Sequence, residues 1–203
     1  MLEWNPAMIK SIVFDWGGVL IEEPSLKVFK YCAEVLQVPI KGFRHIYEKL
    51  AQDFQRGTLS EKMLWETICS ELQIKKPTIS SLWATAFRNA YVEKKENFML
   101  ASTLKKSGYR IGLLSNTEIP AMKFFQEQKY TMFDVTVFSC SEGTRKPEER
   151  IYKILLHRLQ VQPEEVIFID DNQEYIHGAE HARINTIFFK NHRQLRNALI
   201  SFL

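Results

Sequence analysis

Ser11-Ile-Val-Phe-Asp15-Trp-Gly-Gly-Val-Leu20 decides how the rest of this chain is read. The apolar run Ile12-Val13-Phe14 ends abruptly at a carboxylate. Two glycines follow, and then a second apolar pair. A short continuous apolar run bounded by glycine predicts a strand buried on both faces. An Asp at the carboxyl end of such a strand stands where open α/β sheets place their chemistry. Gly17 and Gly18 allow a tight turn and a close backbone approach to a ligand.

Two further stretches have the same design. Tyr109-Arg-Ile-Gly-Leu-Leu114 ends in Ser115-Asn116, and Glu165-Val-Ile-Phe-Ile169 ends in Asp170-Asp171. Each end alone has a bland reading, because Asp, Ser and Asn often begin turns or cap helices. In one parallel sheet, however, the three ends would lie side by side and bring Asp15, Ser115, Asp170 and Asp171 together. Lys146-Pro147, between the second and third runs, would add a positive charge.

These residues carry a resemblance. Phe14-Asp15-Trp-Gly-Gly-Val-Leu20, Leu114-Ser115-Asn116-Thr117, Gly143-Thr-Arg-Lys146-Pro147 and Phe168-Ile-Asp170-Asp171-Asn172 resemble, in order, the four motifs of the haloacid dehalogenase superfamily. The resemblance runs from about Ile9 to the C-terminus. It is greatest to the phosphatase-like branch, whose helical cap follows the first motif. The sugar-phosphate phosphatases and the N-terminal domain of soluble epoxide hydrolase belong there.

Composition is compatible with that family. The chain has 203 residues, of which 45% are hydrophobic and 25% charged, with 27 basic and 24 acidic side chains. So balanced a charge, without basic clusters interleaved with aromatics, argues against a nucleic-acid partner. Cys32, Cys69 and Cys140 form no C-x-x-C pair and read as reduced, buried thiols of a cytoplasmic protein. Met1–Lys10 lacks the apolar region of a signal peptide. No apolar run approaches the ~20 residues of a membrane span, so no membrane partner is expected.

Along the chain, Ile21-Glu22-Glu23-Pro24 breaks the first strand, and helical periodicity then holds for about seventy residues. Ser25 is expected to cap a helix bearing Phe29, Cys32, Ala33 and Leu36. Phe43, Ile46, Tyr47, Leu50 and Phe54 mark a second helix. Ser60-Glu-Lys-Met63 opens a third, and Thr78 to Tyr91 reads as a fourth. Beyond Asn97 the pattern becomes βα alternation. Helices are expected over 98–106, 119–128, 148–159, 175–182 and 192–200, with strands over 134–138 and 185–189 and Pro147 opening the third of these helices. The predicted class is α/β: a Rossmann-like doubly wound parallel sheet of five or more strands. Residues 1–21 and 96–203 form the core domain, and 22–95 an inserted small helical-bundle cap.

The resemblance implies an activity: Mg²⁺-dependent hydrolysis of a small phosphorylated metabolite through an aspartyl-phosphate on Asp15. Asp15, Asp170, Asp171 and the backbone carbonyl of Gly17 would hold the metal, since Mg²⁺ prefers oxygen ligands. Lys146 would neutralise charge, and Ser115 and Asn116 would hold the phosphoryl group. Arg56, in the loop Phe54-Gln-Arg56-Gly57, would contact substrate, or else merely complement a helix dipole. A monomer or homodimer is expected. Two positions depart from the pattern. Gly17 stands where phosphatase members carry an acid–base Asp, and Tyr175 where an acidic or amide residue supports the lysine and metal ligands. Glu22 and Glu23 are the nearest substitutes, with a surface pair as the plainer reading. The departures keep open a catalytically weak binding module. A dehalogenase is a further alternative, opposed by the Asp170-Asp171 pair. The five histidines show no metal spacing.

Overall fold

A computed structural model describes residues 8–202. Residues 1–7, which include most of the segment read as free of a signal peptide, lie outside the described residues. The strands are β1 (Ser11–Phe14), β2 (Arg110–Ser115), β3 (Val135–Phe138), β4 (Val166–Asp170) and β5 (Asn185–Phe188). All pair in parallel in the order β3-β2-β1-β4-β5. Phe14 is opposite Leu113 on one side and Ile169 on the other, so Asp15, Ser115 and Asp170 finish at one edge. The doubly wound parallel sheet expected from the sequence is therefore the architecture of this chain.

Alternation along the central strands sorts the core into two layers. Ile12, Phe14, Ile167 and Ile169 face one side, while Val13, Val166 and Phe168 face the other. On the second side pack α8 (Glu149–Leu159), through Ile151, Tyr152 and Leu155, and α9 (Gln173–His181), through Ala179. On the first side pack α5 (Lys95–Lys106), α6 (Ile119–Glu127) and α10 (His192–Ile200). Strands covered on both faces in this way read as unbroken apolar runs, which is why β1 and β4 were legible.

Four helices lie between β1 and α5: α1 (Ser25–Leu36), α2 (Ile40–Arg56), α3 (Glu61–Leu72) and α4 (Leu82–Ala90). The buried residues of α2 are Phe43, Ile46, Tyr47 and Phe54, on the stripe read from its periodicity. Tyr47 stacks on Trp83 of α4 at 4.9 Å, and Phe54 meets the same indole edge-on at 5.1 Å. Such pairs contribute about 0.5–1.5 kcal/mol each beyond area burial. This aromatic nest is continuous with the first core layer of the sheet.

Several element ends differ from the sequence reading. Ser25 is the first helical residue rather than a cap, and its N–H donates to Glu23 Oε1 at 2.9 Å. Helix α4 begins at Leu82, because Ser81 caps it and Glu61 accepts the Trp83 N–H. Pro147 lies in a turn closed by Glu148 N–H to Arg145 O, and α8 starts two residues later; the Lys146–Pro147 peptide is cis. Helix α5 begins at Lys95 and α9 at Gln173, the latter capped by Asn172. A short helix, α7 (Ser139–Glu142), had no sequence signal of its own.

That short helix seats the insertion. Ser139 donates to Gln55 O at 2.6 Å and accepts the Thr117 N–H at 2.9 Å. Beside it, Gly57 ends α2 with φ +74°, and a Cβ there would lie 2.3 Å from Cys140 O. Both the conformation and the contact exclude a larger residue. Gly57→Ala is accordingly expected to lower unfolding free energy by about 1–3 kcal/mol, read by denaturant titration. An unchanged midpoint would remove this contact as the seat of α2.

Candidate active site

The carboxyl edge of the sheet forms one wall of a cavity of about 590 Å³, and the inserted helices form the other. Asp15 follows β1 directly and is tied into the sheet by its N–H to Ile169 O at 2.9 Å. Asp170 ends β4, and Asp171 follows it. Lys146 reaches them from the loop before α8. Its side chain is fully buried, with Nζ 2.8 Å from Asp15 Oδ1 and 2.6 Å from Asp170 Oδ2. The remaining Asp170 oxygen accepts the Asn172 N–H at 2.8 Å.

Electrostatics at this centre are finely opposed. Burial, reinforced by Asp170 and Asp171, pushes Asp15 up to about 8 against the pull of Lys146. Burial also works against the Lys146 ammonium, but Asp15 and Asp170 outweigh it and raise its pKa. Asp171 is pushed up to about 6 by desolvation and then by Asp170 and Glu23. One lysine thus leaves three carboxylates under-compensated. Asp15, Asp170 and Asp171 each offer an oxygen within 4.8 Å of the others. A hard, oxygen-preferring cation matches this donor set. Asp171 reaches in because residue 18 is glycine with φ +81°: a Cβ there would lie 1.9 Å from Asp171 Oδ2.

The second motif mostly positions. Ser115 Oγ is 2.6 Å from Thr117 Oγ1 at the cavity. Asn116 lines the cavity, but its carboxamide pairs with both backbone groups of Lys146, at 3.0 and 2.8 Å. The pairing holds the lysine loop in place while Asn116 remains on the cavity wall. Arg56 is engaged elsewhere. Its guanidinium bonds Glu148 at 2.5 and 3.1 Å and does not line the cavity. Glu148, held by Thr144 as well, draws the end of α2 onto the third-motif loop.

Both departures from the family pattern acquire neighbours. The Tyr175 ring lies 4.8 Å from Lys146 Nζ, so an aromatic face covers the ammonium where a polar residue was expected. Glu22 is exposed and lies outside the cavity lining, whereas Glu23 lines the cavity. Its Oε2 lies 3.3 Å from where a Gly17 Cβ would be. Sequence reasoning passed over Glu118, Gln55, Tyr47 and Trp83 as cavity residues. The two aromatics were visible only as helix-face residues.

Among known proteins, the family described as haloacid dehalogenase-like hydrolase matches residues 9–183. Pig bifunctional epoxide hydrolase 2 is 28% identical over 80% of this chain and 33% of its own length. Another curated relative is likewise much longer, with 18% of it spanned. The D-ribitol-5-phosphate phosphatase of Bacteroides thetaiotaomicron is 25% identical over 97% of this chain and 99% of its own. A solved HAD family enzyme of that organism, in complex with magnesium, superposes with a TM-score of 0.74. It shares 23% identity and covers 90% of this chain and 93% of its own, a likeness of fold.

Lys146→Met should leave Asp15 and Asp170 buried without their cation. A loss of about 3–5 kcal/mol in unfolding free energy is expected, measured without added metal. Wild-type stability in that variant would show that the two carboxylates do not depend on the lysine.

Proposed function

The chain belongs to the haloacid dehalogenase-like hydrolase family, and from that premise we propose that it is a Mg²⁺-dependent phosphatase of small phosphorylated metabolites. The observation that carries this reading is the buried Asp15–Lys146–Asp170 triad, with Asp171 beside it at the sheet edge. The phosphatase named above and the magnesium complex of the same fold support it. Residues 22–95 serve in this reading as the cap over the core domain of 1–21 and 96–203. The free, buried cysteines accord with a cytoplasmic setting.

Asp15 attacks phosphorus, forming an aspartyl-phosphate as the P–O bond to the leaving group breaks. Lys146 holds Asp15 in orientation and offsets the negative charge that gathers there. Ser115 stands at the cavity to bond a phosphoryl oxygen. Asp15 and Asp171, with the Gly17 carbonyl, would hold Mg²⁺, and Asp170 adds its charge while keeping its bond to Lys146. When bound, the ion supplies charge stabilisation to the phosphoryl oxygens. Water then cleaves the acyl phosphate and restores Asp15.

Hydrolysis of p-nitrophenyl phosphate should require a divalent cation and vanish in Asp15→Asn. Folding should survive that change, because the amide keeps the side chain's shape and Asp170 still faces the Lys146 ammonium. Full turnover in excess chelator, or in a purified and folded Asp15→Asn, would defeat the reading.

The leaving-group proton is assigned to Glu23, which occupies the space beside Gly17. An alkyl phosphate leaves as a basic alkoxide and needs a proton, whereas p-nitrophenolate needs little. Glu23→Gln should therefore slow alkyl phosphates by about 10²-fold or more and spare the aryl substrate. Equal slowing of both would locate the proton donor elsewhere.

A further inference from the structure

Charge is unevenly distributed around the cavity. Asp15, Glu23, Glu118 and Asp171 line it with carboxylates, and among the described residues Lys146 is the one cation on its wall. At the strand ends the excess is met by Lys146 and by the metal that the aspartates fit. Glu118 belongs to neither arrangement. It precedes α6, is 8% exposed, and faces the inserted helices. Its Oε1 accepts the Tyr47 hydroxyl at 3.1 Å, and its Oε2 accepts the Trp83 indole N–H at 3.3 Å. Both donors are neutral. Burial holds its carboxyl above the ordinary glutamate range despite these bonds.

A buried carboxylate without a counter-charge is costly unless something positive arrives. The Glu118 backbone N–H and the Gln55 side chain also bond this carboxylate, and these donors too are neutral. Tyr47 and Trp83 lie against Glu118, and the same cavity is lined by Phe87, Val28 and the amide of Gln55. Aromatic faces around an anionic group attract cations and offer little to a neutral polyol. Asp15 lines the same cavity, so both carboxylates open onto one space. We infer that Glu118 is a specificity residue that receives a cationic group, and that the preferred substrate is a phosphomonoester whose alcohol carries an ammonium. This rests on the phosphatase reading above. It adds the substrate class: the phosphate lies at Asp15 and Lys146, and the ammonium at Glu118.

The test compares pairs of equal shape and different charge. One pair is 2-(trimethylammonio)ethyl phosphate and 3,3-dimethylbutyl phosphate; the other is 2-aminoethyl phosphate and propyl phosphate. The cationic member should have a kcat/KM about 10–100-fold higher. Tryptophan fluorescence titration of Asp15→Asn should show the same preference in Kd, without turnover. Glu118→Gln keeps the shape and an acceptor for Tyr47 but removes the charge, and should bring each pair to near parity. Tyr47→Phe removes a neutral donor and keeps the carboxylate, so the preference should persist there. A Glu118 that only ties α2 and α4 to the core would shift both members of a pair alike. An unmoved ratio in Glu118→Gln would therefore overturn the inference, as would parity in the wild type or a stronger preference for a neutral polyol phosphate. If Glu118→Gln does not fold, the wild-type ratios alone decide. Hydrolysis of p-nitrophenyl phosphate by the wild type separates the two readings: its failure defeats the phosphatase, while the binding ratio still decides the cation site.

Discussion

Everything at the sheet edge depends on one ammonium removed from water. Lys146 is fully buried between Asp15 and Asp170, at 2.8 and 2.6 Å. Desolvating such a charge is expensive, and only opposite charges at close range recover the cost. The surroundings are arranged to keep that geometry. Asn116 grips the backbone of Lys146 from both sides, and Tyr175 and Phe168 present ring faces to its Nζ. The Asn172 N–H holds the far oxygen of Asp170. Asp15 is fixed in place because its partner has nowhere else to go.

The second constraint is that the insertion has no core separate from the sheet. The apolar cluster runs from β1 through α6 to the aromatic nest of α1–α4. Polar links reinforce the seat, from Ser139 to Gln55 and from Arg56 to Glu148. The cavity is therefore built from two elements that share one packed layer. One end is charged and belongs to the sheet. Its far end is aromatic, belongs to α2 and α4, and meets the carboxylate of Glu118, the residue before α6.

Much of this was legible in the residues alone. Ile12-Val13-Phe14 and Val166–Ile169 are continuous apolar runs ending in acid, because a strand covered on both faces has no polar side to show. Their termination at Asp15 and Asp170, with Ser115 on the other side of Asp15, followed from parallel pairing. The stripe Phe43, Ile46, Tyr47, Leu50 and Phe54 announced α2 through its spacing. Helix starts were read less well where the cap came from afar. Glu61, from another helix, accepts the Trp83 N–H, and no local pattern reveals such a partner.

By itself the sequence determined the parallel α/β sheet, the four inserted helices, and the four residues that meet at the sheet edge. These depend on periodicity and on order along the chain, which are local properties. The tertiary structure alone decided which polar groups remain free. Arg56 is bonded to Glu148 and stands outside the cavity lining, and the Asn116 carboxamide is paired with the Lys146 backbone at the cavity wall. Glu23, one of two acids read as possible substitutes, stands beside Gly17, and Glu118, which carried no sequence signal, lies buried against one phenol and one indole donor. The physical reason is that hydrogen bonds saturate and burial is set by distant neighbours. A side chain's identity states what it can bind, and only the packed chain states what it has already bound.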